Sequence, residues 1–240
     1  MAQAIARRLQ AEVVTPVTRR FPDGETYLRI DADLRERSVA IVQTLSHPDD
    51  KFLPLLFAAD AARAGGAQRV GLVAPYLAYM RQDKQFQPGE AVTSRTVARL
   101  LSDSFDWLMT IDPHLHRYKS LSEIYTIPST VLHTATLMSE WIGANVQSPI
   151  LIGPDAESVQ WVSDVAGRID APFTVLSKTR LGDRDIEVRL TDEIDIAGRT
   201  PILVDDIVSS GATMLKAVQR VKTLSRHQPV CVAVHGLFAD

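Results

Sequence analysis

The chain has 240 residues, 45% of them hydrophobic and 23% charged, with a formal net charge of -3, which leaves room for one large or two modest domains with ordinary cores. That charge gives no basic footprint for nucleic acid and no general attraction to anionic membranes, so a phosphate-bearing ligand must be met by locally placed Lys and Arg. One cysteine, Cys231, excludes an intrachain disulfide framework; no apolar stretch reaches bilayer length and no secretory h-region opens the chain, so a cytoplasmic enzyme is expected.

Apolar runs predict strands over 39–44, 69–74, 107–111, 149–152, 173–176, 186–189, 201–204 and 230–236. Helical spacing predicts helices over 2–9, 52–64, 94–103, 135–141, 157–169 and 213–222. Strands alternating with helices argue for an α/β protein whose mostly parallel sheets are covered on both faces. Gly65-Gly66 reads as a helix stop. Each half looks like one α/β unit, and the short polar stretch 145–149 is the expected seam, giving domains 1–145 and 146–240. Cys231, inside the apolar run 230–234, reads as a buried strand residue. Ligands of such sheets sit beyond the carboxyl ends of strands, so the polar residues there carry the argument.

Phe21-Pro22-Asp23-Gly24-Glu25 precedes a short alternating run over 26–30. Pro-Asp-Gly is strong turn chemistry. Read alone it is a hairpin turn; an exposed Phe beside two carboxylates could also stack on a purine. After the strand at 69–74 come Arg81, Gln82, Asp83 and Lys84, either a solvated loop or positive charge placed for polyphosphate. Asp112-Pro113-His114 follows the strand at 107–111, and His114 is either structural or a ligand for metal or phosphate. The nearby His116 and His133 do not complete a zinc site. Gly153-Pro154-Asp155 opens a helix, where Asp155 is a cap or a contact for ribose or Mg2+. Lys178 and Arg180, two residues apart after the strand at 173–176, are surface charges or a pair that closes over a transferring phosphoryl group on a mobile segment.

The most informative stretch runs from Asp205 and Asp206 through Ser209, Ser210, Gly211 and Ala212 to Thr213. An apolar strand precedes it and a helix follows. Backbone N–H groups and hydroxyls of such a loop wrap a phosphate at a helix N-terminus, and the carboxylates suit ribose hydroxyls, directly or through Mg2+. The pattern resembles the phosphoribosyl-diphosphate (PRPP) loop of type I phosphoribosyltransferases.

Taken in order, these segments resemble the ribose-phosphate pyrophosphokinase family over nearly the whole chain. The resemblance implies two phosphoribosyltransferase-type (Rossmann-like) domains, shortened at both ends relative to the family. It implies transfer of the diphosphoryl group of ATP to O1 of ribose 5-phosphate, giving PRPP and AMP. By the same resemblance Phe21, Asp23, Glu25, Arg81, Gln82, Asp83 and His114 receive ATP. Asp205, Asp206, Ser209, Ser210, Gly211, Ala212 and Thr213 hold ribose 5-phosphate, Lys178 and Arg180 are catalytic, and His114 and Asp155 lie near Mg2+. A homo-oligomer is implied, with Phe21 able to serve a neighbouring subunit; nucleic acid and membrane are not expected partners. One departure is Ala156-Glu157-Ser158, where the family has paired glycines. Three alternatives stay open: a PRPP-consuming phosphoribosyltransferase, a non-catalytic regulatory homologue, and a nucleotide-binding module without chemistry.

Overall fold

The computed structural model describes residues 1–180, 186–190, 194 and 196–238, with the backbone alone for Glu157, 178–180 and 186–190. Contacts divide the chain into two units, Met1–Leu132 and His133–Asp240.

The first unit opens with helix α1 (Ala2–Leu9) and an antiparallel hairpin of β1 (Val17–Arg20) and β2 (Thr26–Arg29). Next come β3 (Ser38–Val42), α2 (Asp49–Ala64), β4 (Arg69–Ala74), α3 (Thr93–Ser104), β5 (Trp107–Ile111) and β6 (Ser129–Leu132). The last four strands named form a parallel sheet in the order β3-β4-β5-β6. Central β4 is apolar and almost wholly buried, whereas edge strands β3 and β6 are only partly buried; a parallel strand covered on both faces needs a continuous apolar run. Gly71 in β4 pairs with Trp107 in β5, and the indole occupies the space a Cβ at Gly71 would take. Leu55 and Ala59 of α2, Leu101 of α3, Leu72 and Leu108 share one core.

Sequence and structure differ here in instructive places. Helix α2 begins at Asp49 rather than at 52, with Asp49 and Asp50 in its first turn, where carboxylates favour the positive end of the helix dipole. It stops at Gly65, as the double glycine predicts, and Gly66 follows with φ of +91°. Strands β1 and β6 escape sequence prediction because each has only four residues, with β1 exposed throughout and β6 alternating only between partly buried and exposed positions.

The second unit contains α4 (Ala135–Asn145), β7 (Pro149–Gly153), a 3-10 turn at Ala156–Ser158, α5 (Val159–Gly167), β8 (Phe173–Arg180), β9 (Ile186–Leu190), β10 (Thr200–Val208), α6 (Ala212–Lys222) and β11 (Val230–Gly236). Its sheet runs β11-β10-β7-β8-β9, parallel except that β9 lies antiparallel to β8. Strand alternation feeds two cores. Leu151, Ile202 and Val204 meet Met138 and Ile142 of α4 and Val162 of α5. Ile150, Ile152 and Leu203 meet Met214, Ala217 and Val221 of α6. Because the buried face of α4 belongs to this core, the contact division falls at Leu132/His133, ahead of α4, while the polar stretch at 145–149 is only the α4–β7 turn.

Cys231 is in a strand, as expected, but it is exposed. Its strand β11 is the edge of the sheet, so one flank lacks the cover that an apolar run by itself suggests. Among the described residues no helix is long and apolar enough to cross a membrane.

Candidate functional site

In the second unit β7 and β10 are neighbours, and their connections leave in opposite directions, β7 toward β8 and β10 toward β11. Such a switch point opens a crevice beyond the carboxyl ends of both strands. Strand β10 pairs in register up to Leu203 opposite Ile152. Extending that register sets Gly153-Pro154-Asp155 beside Val204-Asp205-Asp206. Gly153 is required there: the Ser158 side chain fills the position of a Cβ, and its Oγ donates to the Asp155 carbonyl at 2.6 Å. This closes the turn that carries Asp155.

Asp205 and Asp206 lie inside β10, which continues to Val208, rather than in the loop after it. Both are half-buried. Burial pushes the Asp205 carboxyl up to about 7, helped by the charge and hydrogen bond of Asp206 and by the charge of Asp155. The Asp206 N–H donates to Asp205 Oδ1 at 3.0 Å. Burial, with Asp206 and Asp155 nearby, thus lets Asp205 hold a proton near neutrality. Ser209 and Ser210 lead to Gly211, the N-cap of α6, with φ of +76° and no side-chain cap. The Ala212 N–H reaches Ser210 Oγ at 3.4 Å. This helix start offers backbone donors and a positive dipole end beside exposed Ser210 and Thr213, the ingredients of an anion cradle.

Lys178 and Arg180 belong to the β8–β9 ribbon, their backbones opposite Val188 and Ile186. Sequence reading ends that strand at 176; ladder pairing with β9 carries it on to Arg180. The side chains of Lys178, Arg180 and Glu157 lie outside the described residues.

In the first unit the hairpin tip carries Phe21, Asp23 and Glu25, all exposed. The Glu25 N–H donates to Asp23 Oδ1 at 3.2 Å, and Gly24 takes φ of +95°, which a glycine adopts without strain. Phe21 meets Tyr27 edge to face, and the Arg19 guanidinium lies 4.5 Å from each ring centroid. Arg20 reaches Asp50 at 3.3 Å, and the Tyr79 hydroxyl bonds Asp49. Both the hairpin and the segment after β4 are therefore tied to the first turn of α2. Burial and Asp49 together push the Tyr79 phenol up to about 12.

The segment after β4 splits by role. Arg81 is exposed, Gln82 half-buried and Asp83 buried. Asp83 Oδ1 accepts from Arg117 at 2.7 Å, and its side chain is 1% exposed. His114 follows Asp112, whose N–H donates to the Leu132 carbonyl at 3.0 Å and whose φ is +33°. The rings of His114 and His116 lie 6.3 Å apart. Arg117, Tyr118 and Ser94 join this region to Asp83 and Gln82. Sequence reasoning missed all three, because contacts spanning 12 to 35 positions leave no local period. Among the described residues no group of three or more His, Cys, Asp or Glu is arranged as a metal cluster. A groove of about 930 Å³ in this unit, lined by α1, β2, β3 and α2, contains none of Arg81, Gln82 or His114.

Comparison with known proteins bears on the family and the fold. Residues 1–104 match the N-terminal domain of ribose phosphate pyrophosphokinase, and residues 120–239 match the phosphoribosyl transferase domain. A ribose-phosphate pyrophosphokinase of Methanopyrus kandleri is 32% identical over 99% of this chain and 81% of its own length. That of Methanosarcina acetivorans is 35% identical over the same shares. The crystal structure of phosphoribosylpyrophosphate synthetase from Mycobacterium smegmatis superposes with a TM-score of 0.89 at 26% identity, covering 100% of this chain and 78% of that one. With both halves matched in order and the relatives aligned end to end over this chain, the protein belongs to the ribose-phosphate pyrophosphokinase family.

Proposed function

We propose that this chain transfers the β,γ-diphosphoryl group of ATP to O1 of ribose 5-phosphate, giving PRPP and AMP. The observation that carries the reading is the crevice at the β7–β10 switch point, where Asp155, Asp205 and Asp206 stand beside the uncapped start of α6. The 5-phosphate is assigned to Ser209, Ser210, Gly211, Ala212 and Thr213, whose N–H groups and hydroxyls suit its oxygens. Ribose hydroxyls are assigned to Asp205 and Asp206, which orient O1 toward the β-phosphorus. The O1–P bond forms as the bond from P to the AMP oxygen breaks, and Lys178 and Arg180 are assigned to the charge that spreads over the phosphoryl oxygens.

ATP is assigned to the first unit. Phe21, Asp23 and Glu25 at the exposed hairpin tip take adenine, serving a neighbouring subunit in a homo-oligomer. Arg81 and Gln82 take the phosphates with His114. Asp83 belongs to the same loop, and its inward carboxylate supports that loop from behind.

Mg2+ fits the donor set. Burial, then the neighbouring carboxylates of Asp206 and Asp155, raises the Asp205 carboxyl, and Mg2+ needs only one or two carboxylates when substrate phosphates and water complete its shell. His114 in the first unit and Asp155 in the second would each be a candidate contact, and Mg2+ would supply neutralisation of the diphosphate charge. The test is AMP formation by purified protein with ATP, Mg2+ and ribose 5-phosphate, each omitted in turn. AMP only in the complete mixture, matched by PRPP, is the expected result. A folded protein that makes no AMP would refute it, and AMP formation without ribose 5-phosphate would point to a different acceptor.

A further inference from the structure

We infer that Arg117 is a positioning residue for the nucleotide loop, acting through Asp83 to aim Arg81 and Gln82; the inference rests on the assignment of that loop to ATP. The segment between β4 and α3 is long, and after the buried Leu77, Ala78 and Met80 its residues Gln82 and Asp83 are held from two directions. From α3, Ser94 Oγ donates to the Gln82 carbonyl at 3.0 Å and Thr93 Oγ1 to Gln82 Oε1 at 3.4 Å. From the segment after β5, Arg117 donates to Asp83 Oδ1 at 2.7 Å, and the Tyr118 hydroxyl donates to the Asp83 carbonyl at 3.1 Å. The Tyr118 hydroxyl also lies 3.0 Å from Ser94 Oγ, so the two anchors join in one buried network.

Asp83 Oδ2 is buried and has no hydrogen-bond partner among the described residues. The carboxylate therefore depends on Arg117 for most of its compensation, since a buried charge is tolerated only when paired. The Arg117 guanidinium also lies 5.4 Å from the Phe86 ring centroid, with Lys84 Nζ at 5.2 Å from the same ring. Arg117 thus grips the loop at two points, an ion pair at Asp83 and a cation–π contact at Phe86. Beyond these grips the Phe86 N–H donates to Glu90 Oε2 at 2.8 Å, which closes the loop on itself. Exposed Arg81 projects from the anchored end. Without Arg117 the Asp83 carboxylate turns toward water and carries the backbone of Gln82 and Arg81 with it.

The test is steady-state kinetics of AMP formation on the full chain for Arg117→Ala, Arg117→Lys, Tyr118→Phe and Arg81→Ala. Arg117→Ala should raise KM for ATP about tenfold, with kcat changed less than about threefold and KM for ribose 5-phosphate unchanged. Arg117→Lys should recover part of the loss, because an ammonium can pair with Asp83 but not reproduce the planar grip on Phe86. Tyr118→Phe should raise KM for ATP by a smaller factor, and with Arg117→Lys it carries the test if Arg117→Ala does not fold. A purely structural role would lower the thermal midpoint and the active fraction and leave KM alone. The inference is overturned if Arg81→Ala raises KM for ATP while neither Arg117→Lys nor Tyr118→Phe does. If Arg81→Ala itself leaves that KM unchanged, the nucleotide assignment of the loop falls first and this inference with it.

Discussion

Asp205, assigned here to ribose, illustrates how a single partly buried carboxyl costs stability. Its carboxyl is displaced upward from 3.8 to about 7, first by burial and then by Asp206 and Asp155. In that interval the folded protein keeps a proton that the unfolded chain has released, so stability falls as pH rises through it and stays lower above it. Asp205→Asn should therefore raise the thermal midpoint by a few degrees at about pH 8 and by less at about pH 5, measured by calorimetry without ligand. Equal shifts at both pH values would show that charge crowding is not the cause. Buried Asp83 is compensated differently, by its ion pair with Arg117. The two aspartates look alike in the sequence, and only their neighbours separate them.

At the scale of elements, the β8–β9 ribbon and the β1–β2 hairpin carry functional candidates on ladders that the sequence only half reveals. The segment Ser177-Lys178-Thr179-Arg180 reads as loop because the apolar run ends at Leu176, yet it pairs with β9 through Arg180. Backbone pairing needs no apolar side chain, so periodicity is blind to it. The ribbon makes a sharp expectation for Lys178, whose assigned role is felt only as charge develops. Lys178→Ala should lower turnover by about 10²–10³ while leaving ribose 5-phosphate affinity nearly unchanged, read by single-turnover kinetics and calorimetric titration. Equal losses in both would remove Lys178 from the transition state. The hairpin was more legible: Pro22-Asp23-Gly24 announces its turn, and the positive φ of Gly24 is the conformation that turn requires.

For the molecule as a whole, the two units have separate cores. Leu72, fully buried, belongs to the first, whereas Leu151, equally buried, belongs to the second. Leu72→Ala should cost about 2–5 kcal/mol. Hydrogen exchange should then quicken across β4 and β5 and stay slow across β7 and β10. Loss of protection spread evenly over both sheets would mean that the units unfold as one.

Much of this protein was determined by sequence alone. Apolar runs located the central strands because a parallel strand covered on both faces must be apolar throughout, as in β4 and in β10 up to Val204. The acidic pair, the hydroxyl-rich loop and the following helix could be read as a phosphate cradle because their neighbours lie next to them in the chain. Tertiary structure decided what depends on distant partners. The order of strands sets β7 beside β10 and so brings Asp155 to Asp205, and the burial of α4 against the second sheet assigns it to that unit. The Arg117 pair turns Asp83 inward, and the edge position of β11 leaves Cys231 exposed. The physical reason is the same in each case: burial and charge compensation arise from packing between segments far apart in the chain, and a local pattern carries no record of which segments meet.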